Sequence, residues 1–310
     1  MRSRPRQAPG SPASPKTVFI LKPRSTARPM PKILHTRFRP ALPWLWMLCL
    51  LSGCVTSPLT PGPSAGMVKV PAGVFTMGFV IDNPQEWGDP DEEPVHEVFL
   101  DAFYIDPYET TAAEFAEFLN AHPGEAGRYF ETGKAVTIER QNGRFKPRPG
   151  LKRLPANRIS WHGADAYCRW KGKRLPTEAQ WEKAARGTDG RLFPWGNRHP
   201  DGSLATYRRK FKQLGFRVFE PVDSMPQGAS PYGVHHMAGN VWEWVGDWYA
   251  ADYYEHSPVK NPPGPATGDH KVLRGGNWYY KAYYMRTTYR FNDPPGTFKV
   301  WQGVRCAWSP

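Results

Sequence analysis

Polar and apolar positions alternate most plainly in Trp242-Glu243-Trp244-Val245. On an extended strand, Trp242 and Trp244 point to one side and Glu243 to the other. Two large aromatics on one side predict a core wall, with Glu243 facing a polar pocket or a metal. The Gly239-Asn240 pair just before it supplies a turn whose carbonyls are free to bind. Further strands are expected within Val68 to Met77, around Gly73, and over Glu97 to Tyr104. Two more are read at 271–280 and 303–308, the last closing near the start of the domain.

Helical spacing marks three segments. Over about 110–120, Phe115, Phe118 and Leu119 fall at i, i+3 and i+4, after a Thr110 or Thr111 cap with Glu114 as the box partner of Thr111. His162 to Lys171 reads as a second helix, with Ala166 and Trp170 on one face. Thr177-Glu178-Ala179-Gln180 is a capping box for a third, with Trp181, Ala184 and Ala185 inward and Gly187 at the stop. Residues 79–95 hold Asp82, Glu86, Asp89, Asp91, Glu92 and Glu93 and read as an acidic surface loop. Residues 121–156 read as a variable insertion or long loop, and 188–230 mostly as loop. Periodicity alone gives an α+β, loop-rich domain.

The composition agrees: 29 Gly, 34 Pro and 43 aromatic residues among 310 point to aromatic packing rather than a helical bundle. The formal charge of +13 misleads, because residues 1–53 carry ten Lys or Arg and no Asp or Glu. The remainder is only +3, which disfavours nucleic acid as a partner. Arg140, Arg144, Lys146, Arg148, Lys152 and Arg153 form a local positive run suited to lipid headgroups or a cell-wall polymer, or simply a solvated loop.

The N-terminus reads as an address. Ala41 to Gly53 is a short apolar run behind Arg37 and Arg39, shorter than the roughly 20 residues a spanning helix needs. It fits the h-region of an export signal. Leu51-Ser52-Gly53-Cys54 resembles a bacterial lipobox, which makes Cys54 the lipidation site and the membrane a partner; a plain signal peptide is the alternative. Residues 1–53 are thus a leader, with Met30 an alternative start, 54–66 a Pro- and Gly-rich tether, and 67–310 the domain. An exported chain, lipid-anchored to a bacterial membrane and facing periplasm or cell surface, is expected.

A series of blocks resembles the formylglycine-generating enzyme-like (sulfatase-modifying factor) family. They are Met67 to Gly78, Asp91 to His96, Ile159 to Trp170, Gly172 to Glu182, Phe193-Pro194-Trp195-Gly196-Asn197, Tyr232 to Trp244, Leu273-Arg274-Gly275-Gly276 and Gly303-Val304-Arg305-Cys306-Ala307. They cover roughly 67–308 in order. The resemblance implies an α+β fold like a C-type lectin domain, with much irregular structure. It implies a disulfide between Cys168 and Cys306, two free thiols being the alternative. It also implies calcium at the Gly-Asn corner, through the carbonyls of Gly239 and Val241 and the carboxylate of Glu243. His236 stands where the family has Asn or Asp, and imidazole is a poor calcium ligand. The alternative for Glu243 is a buried carboxylate hydrogen-bonded to backbone amides. The family's second calcium site is read as lost, with Thr206 and Leu214 in its positions.

Family members that generate formylglycine bind copper through two cysteines after the Arg-Gly-Gly block, because a cuprous ion prefers soft thiolates. Here Tyr280 and Met285 stand at those places, and Asn277 replaces the usual Ser. Copper chemistry is therefore not expected. The sulfoxide synthases of the wider family use three histidines and non-haem iron with an extra helical ligand-bearing domain, for which this chain has no room, and His235-His236 is a poor substitute because adjacent residues on a strand face opposite ways. The corresponding groove is expected to hold Trp242, Asn277, Tyr280 and Met285, with Trp278, Tyr279, Tyr283 and Tyr284, a surface suited to a sugar or peptide; core packing is the competing reading for about half of these aromatics. The resemblance points to a non-catalytic binding or scaffold module with a protein or cell-wall glycan partner. An oxidoreductase using a different metal or site is the alternative.

Overall fold

The computed structural model describes residues 64–79 and 88–310. The leader, Cys54, most of the tether, Asp82 and Glu86 lie outside the described residues.

Eleven short strands, five α-helices and five short 3-10 helices make up the described elements. Strands β1 (Val68–Val70) and β2 (Gly73–Met77) open the domain, followed by β3 (His96–Leu100) and β4 (Phe103–Ile105). The single strand expected over Glu97 to Tyr104 is thus two, interrupted at Asp101-Ala102. Helix α1 (Ala112–Ala121) starts on the expected box, Thr111 Oγ1 accepting from the Glu114 N–H while the Glu114 carboxylate accepts from the Thr111 N–H. It buries Phe115, Phe118 and Leu119, so the apolar stripe read from the spacing is the core face.

Residues 121–156 are not a peripheral insertion. They form helix α2 (Ala126–Tyr129) and a hairpin of β5 (Ile138–Gln141) and β6 (Arg144–Pro147). Tyr129, Phe130, Val136, Ile138 and Phe145 join the core cluster beneath α1. The Gly, Pro and basic residues that suggested a loop occupy its turns and outer face. Its cations are partly neutralised, Arg148 pairing with Glu139 at 3.1 Å and Arg153 with Asp223.

Helix α3 (Trp161–Trp170) is capped by Ser160 and buries Gly163, Ala164, Tyr167 and Cys168. Its inward face is therefore rotated from the one read in the sequence, and Trp170 is 41 % exposed. Helix α4 (Glu178–Arg186) follows the expectation, with the Thr177–Gln180 box at its start, Trp181, Ala184 and Ala185 buried, and Gly187 as C-cap.

After α5 (Phe211–Leu214) comes the strand that organises the fold, β7 (Trp242–Trp248). It lies in a four-stranded sheet with β8 (Lys271–Arg274), β9 (Phe291–Asp293) and β10 (Gln302–Val304), in the order β10-β7-β8-β9. Strand β8 stops at Arg274, short of the expected 280. The final strand β11 (Ala307–Trp308) pairs with β4, which also pairs with β1, so the chain does close near its start.

Strand alternation then sorts the core. Trp242 and Trp244 enter the cluster formed with α1 and α3, whereas Val245 enters the cluster under α4, β2 and β3. Burying each indole contributes on the order of 2–3 kcal/mol. The Trp244 Nε1 donates to the Ile159 carbonyl at 2.9 Å, which ties the aromatic wall to the start of α3. Cys168 on α3 and Cys306 before β11 form the disulfide, with Cα atoms 5.5 Å apart.

Candidate functional site

The Gly239-Asn240 corner is a hub of buried hydrogen bonds. Asn240 has a left-handed backbone (φ 56°), which its short polar side chain tolerates. Its Nδ2 donates to Glu109 Oε2 at 2.6 Å, its Oδ1 accepts from the Glu220 N–H, and its own N–H donates to Thr206 Oγ1 at 2.7 Å. Gly239 has φ 84°, and a Cβ there would sit 2.3 Å from the Thr206 carbonyl oxygen. Any side chain would force the two segments apart. Thr206, read as a lost calcium position, is here the clamp on the corner.

Glu243 does not face an open pocket. Both its oxygens accept hydrogen bonds, from Arg305 Nη2 at 2.7 Å and Nε at 3.0 Å and from Trp181 Nε1 at 2.8 Å. Arg305 is fully buried and also donates to the carbonyls of Asp106 and His235. This exceeds the alternative of backbone amides as partners: the charge of Glu243 is matched by a guanidinium. Glu109, buried beside it, has its pKa raised well above the ordinary carboxylate value by burial and by the charge of Glu243.

This arrangement does not fit calcium. Arg305 supplies the cation to Glu243, and at His236, where the family has an oxygen, the imidazole Nε2 lies 3.1 Å from the Pro221 carbonyl. Burial, with Arg305 nearby, lowers the His236 pKa to about 3, so the ring is neutral. Among the described residues no three His, Cys, Asp or Glu side chains converge as a metal site. They also hold no thiol outside the disulfide, so copper has no thiolate pair there. His235 Nδ1 lies 2.9 Å from the Ser224 carbonyl oxygen, so the two adjacent histidines serve different backbone partners.

The loop after β8 is built from the same kind of anchoring. Gly275 and Gly276 take φ 98° and 74°, and a Cβ on Gly276 would lie 2.8 Å from the Tyr284 carbonyl oxygen. Asn277 is fully buried, and its Oδ1 accepts from the N–H groups of Tyr279 and Tyr280. Trp242, Asn277 and Met285 are all at 0 % exposure, so they support the groove from beneath rather than line it. Of the four residues read as the groove, Tyr280 alone reaches the surface; Trp278 is buried in a cluster with Phe219. Tyr279, 52 % exposed, joins Tyr280 there.

The surface itself combines these rings with cations that sequence reading missed. The Arg208 N–H donates to the Tyr280 carbonyl at 2.9 Å and the Arg209 N–H to the Trp278 carbonyl at 2.8 Å. These bonds lay Arg208-Arg209-Lys210 alongside the tyrosine loop. A cleft of about 370 Å³ is lined by Arg208, Arg209, Lys210, Tyr279, Tyr280, Lys281 and Tyr284. A second, of about 510 Å³, adjoins it and shares Arg208, Lys281 and Tyr284, adding His199, Tyr207 and Tyr283. Tyr280 and Tyr284 have ring centroids 4.7 Å apart, and Tyr279 stacks on Trp301. The run Tyr207-Arg208-Arg209-Lys210 was the available signal, but it lies about 70 residues from Tyr279 in a segment without periodicity.

Residues 55–310 match the sulfatase-modifying factor enzyme 1-like domain. The chain belongs to this family. The sulfatase-modifying-factor domain here is 35% identical over 288 residues to the formylglycine-generating enzyme of Bos taurus, covering 80% of this chain and 75% of that one. It is 32% identical over 305 residues to the inactive C-alpha-formylglycine-generating enzyme 2 of the same animal, covering 86% and 95%. It is also 36% identical over 246 residues to the serine/threonine-protein kinase pkn1 of Chlamydia caviae, covering 78% of this chain but only 37% of that kinase. The structure resembles that of PvdO from Pseudomonas aeruginosa, with TM-score 0.63, 28% identity, and coverage of 79% of this chain and 94% of that one. The α+β, loop-rich fold of the sulfatase-modifying-factor family is thus that of this chain.

Proposed function

We propose that this chain is a non-catalytic binding module of the family, tethered through lipid on Cys54 to a bacterial membrane and acting in the cell envelope. The observation that carries the reading is the chemistry at the copper positions. Tyr280 and Met285 offer a phenol and a buried thioether, and the described cysteines are consumed in the Cys168–Cys306 bond. The region that in a catalytic relative positions a thiol here presents an aromatic and cationic cleft. The similarity to a relative named an inactive C-alpha-formylglycine-generating enzyme, over most of this chain, supports the reading. Among the described residues no helix is long and apolar enough to cross a membrane.

Two measurements test this. The full-length chain, purified without chelators, is expected to carry neither copper nor iron near one per chain by elemental mass spectrometry. It is also expected to leave a Cys-x-Pro-x-Arg peptide unconverted under oxygen with added copper. Stoichiometric copper or iron, or formylglycine in the peptide, would instead establish an oxidoreductase working through a different site.

A further inference from the structure

We infer that the tyrosine cleft beside Arg208 and Lys281 is a binding site for an acidic saccharide, one carrying carboxylate or sulfate groups on successive rings. The inference rests on the binding-module reading and names the ligand class of that same site.

Charge comes first. Arg208, Lys210 and Lys281 are exposed, and among the described residues none lies within 4 Å of a carboxylate in an ion pair. Arg209 is the exception: it pairs with Glu220 at 2.8 Å, which holds the strand of cations against the domain. Among the described residues neither cleft has an Asp or Glu in its lining. Three cations converging without an acid among the described residues favour an anionic ligand. The domain's charge beyond the leader is only +3, so this is a local feature rather than a general basicity.

Ring faces come second. Tyr279 and Tyr280 present phenol rings to solvent, and Tyr284 continues the surface into the second cleft. Aromatic faces bind flat ligand surfaces by stacking. A pyranose ring offers such a face and carries its acidic group at the rim, where the cations stand. The two clefts share Arg208, Lys281 and Tyr284, so a chain of several sugars runs continuously from one to the other.

Backbone supply argues against a peptide strand. The N–H groups of Tyr279 and Tyr280 are taken by Asn277, and the carbonyls of Trp278 and Tyr280 by Arg209 and Arg208. The main-chain ladder by which extended peptides add to an edge is therefore already used. The site reads its ligand with side chains.

The test uses the full-length chain in detergent, titrated calorimetrically with a galacturonic acid hexamer. Maltohexaose, a twelve-residue oligothymidylate and hexaglutamate serve as comparisons. The acidic hexamer is expected to bind about tenfold or more tightly than maltohexaose, with an affinity that falls as salt rises. Arg208→Asn with Lys281→Gln, both at exposed positions, should remove roughly that tenfold preference. Tyr279→Ala should weaken both saccharides by a similar factor, as loss of a stacking face does. Equal binding of maltohexaose, unaffected by the charge variants, overturns the acidic-ligand inference while leaving the binding-module reading intact. Oligothymidylate or hexaglutamate binding as tightly, with the same residue dependence, overturns the saccharide assignment. Binding of no saccharide at all overturns it too, and the peptide and metal assays above then judge the module reading separately.

Discussion

Glu92 and Arg286, 194 residues apart, form a bidentate ion pair at 2.6 Å through both carboxylate oxygens, with neither side chain exposed. Sequence reading placed Glu92 on a solvated acidic loop. Instead its described part, from residue 88 on, is a clamp: Asp89 accepts from the Tyr283 hydroxyl, Asp91 from the Tyr249 hydroxyl, and Glu92 holds the end of the tyrosine loop. Burial works against the charge of Glu92 and raises its carboxyl pKa, and Arg286 opposes that shift.

Removing one partner should therefore cost more than the pair itself is worth, because a buried charge is stranded. Glu92→Gln is expected to destabilise the fold by about 3–5 kcal/mol, measured by urea denaturation. The double variant Glu92→Gln, Arg286→Met should recover part of that loss. Additive losses would mean the two residues are not coupled.

His236 should make the protein acid-sensitive. Its folded pKa is about 3 against an ordinary 6.5, so between those values the unfolded chain binds the proton and the folded chain does not. Stability is then fully present above pH 6.5 and lost as pH falls, by up to about 1.4 kcal/mol per unit. His236→Asn suits the left-handed backbone there (φ 53°). Its stability should fall less between pH 7.5 and 5 than the parent's, by roughly 1–2 kcal/mol in thermal or urea unfolding. Parallel pH profiles would show that the imidazole is not the sensor.

Asp247 works in the opposite sense. Burial, and then the neighbouring Glu178 charge, push its pKa up to about 7 while its carboxylate accepts from the Glu178 N–H. The folded chain binds the proton between 3.8 and 7, so Asp247 favours folding as pH drops through 7 and opposes it above. Asp247→Asn should thus be more stable than the parent at pH 8, by about 1–3 kcal/mol, with the gain vanishing toward pH 4. A gain equal at both pH values would point to packing instead.

The disulfide closes a loop across 138 residues of sequence. Replacing Cys168 and Cys306 with Ala should lower stability by about 3–5 kcal/mol through freedom returned to the unfolded chain. The loss should appear equally in parent protein treated with reductant under denaturing conditions and then refolded. An unchanged melting temperature would mean the bond constrains little.

Much of the fold was legible because it rests on local chemistry. The Thr111–Glu114 and Thr177–Gln180 boxes start α1 and α4 where the spacing says, since capping involves groups three residues apart. Strand alternation likewise put Trp242 and Trp244 together in the core and Glu243 opposite. The face of α3 was misread because Trp170 is apolar enough to suggest burial, yet the core already holds Tyr167 and Cys168 on the adjacent face. The hairpin within 121–156 was missed because its turn residues and cations outnumber the few apolar anchors.

By itself, then, the sequence determined the family, the strand and helix segments with clear caps, and the absence of cysteines at Tyr280 and Met285. All of these follow from residue identity and short-range spacing. Only the tertiary structure decided that Arg305 neutralises Glu243, that Trp242, Asn277 and Met285 lie beneath the groove, and that Arg208 to Lys210 run beside Tyr279 and Tyr280. Each of those is a contact between segments about 60 to 70 residues apart or a matter of burial, and hydrogen bonds such as that from the Arg208 N–H to the Tyr280 carbonyl leave no periodic mark on either segment.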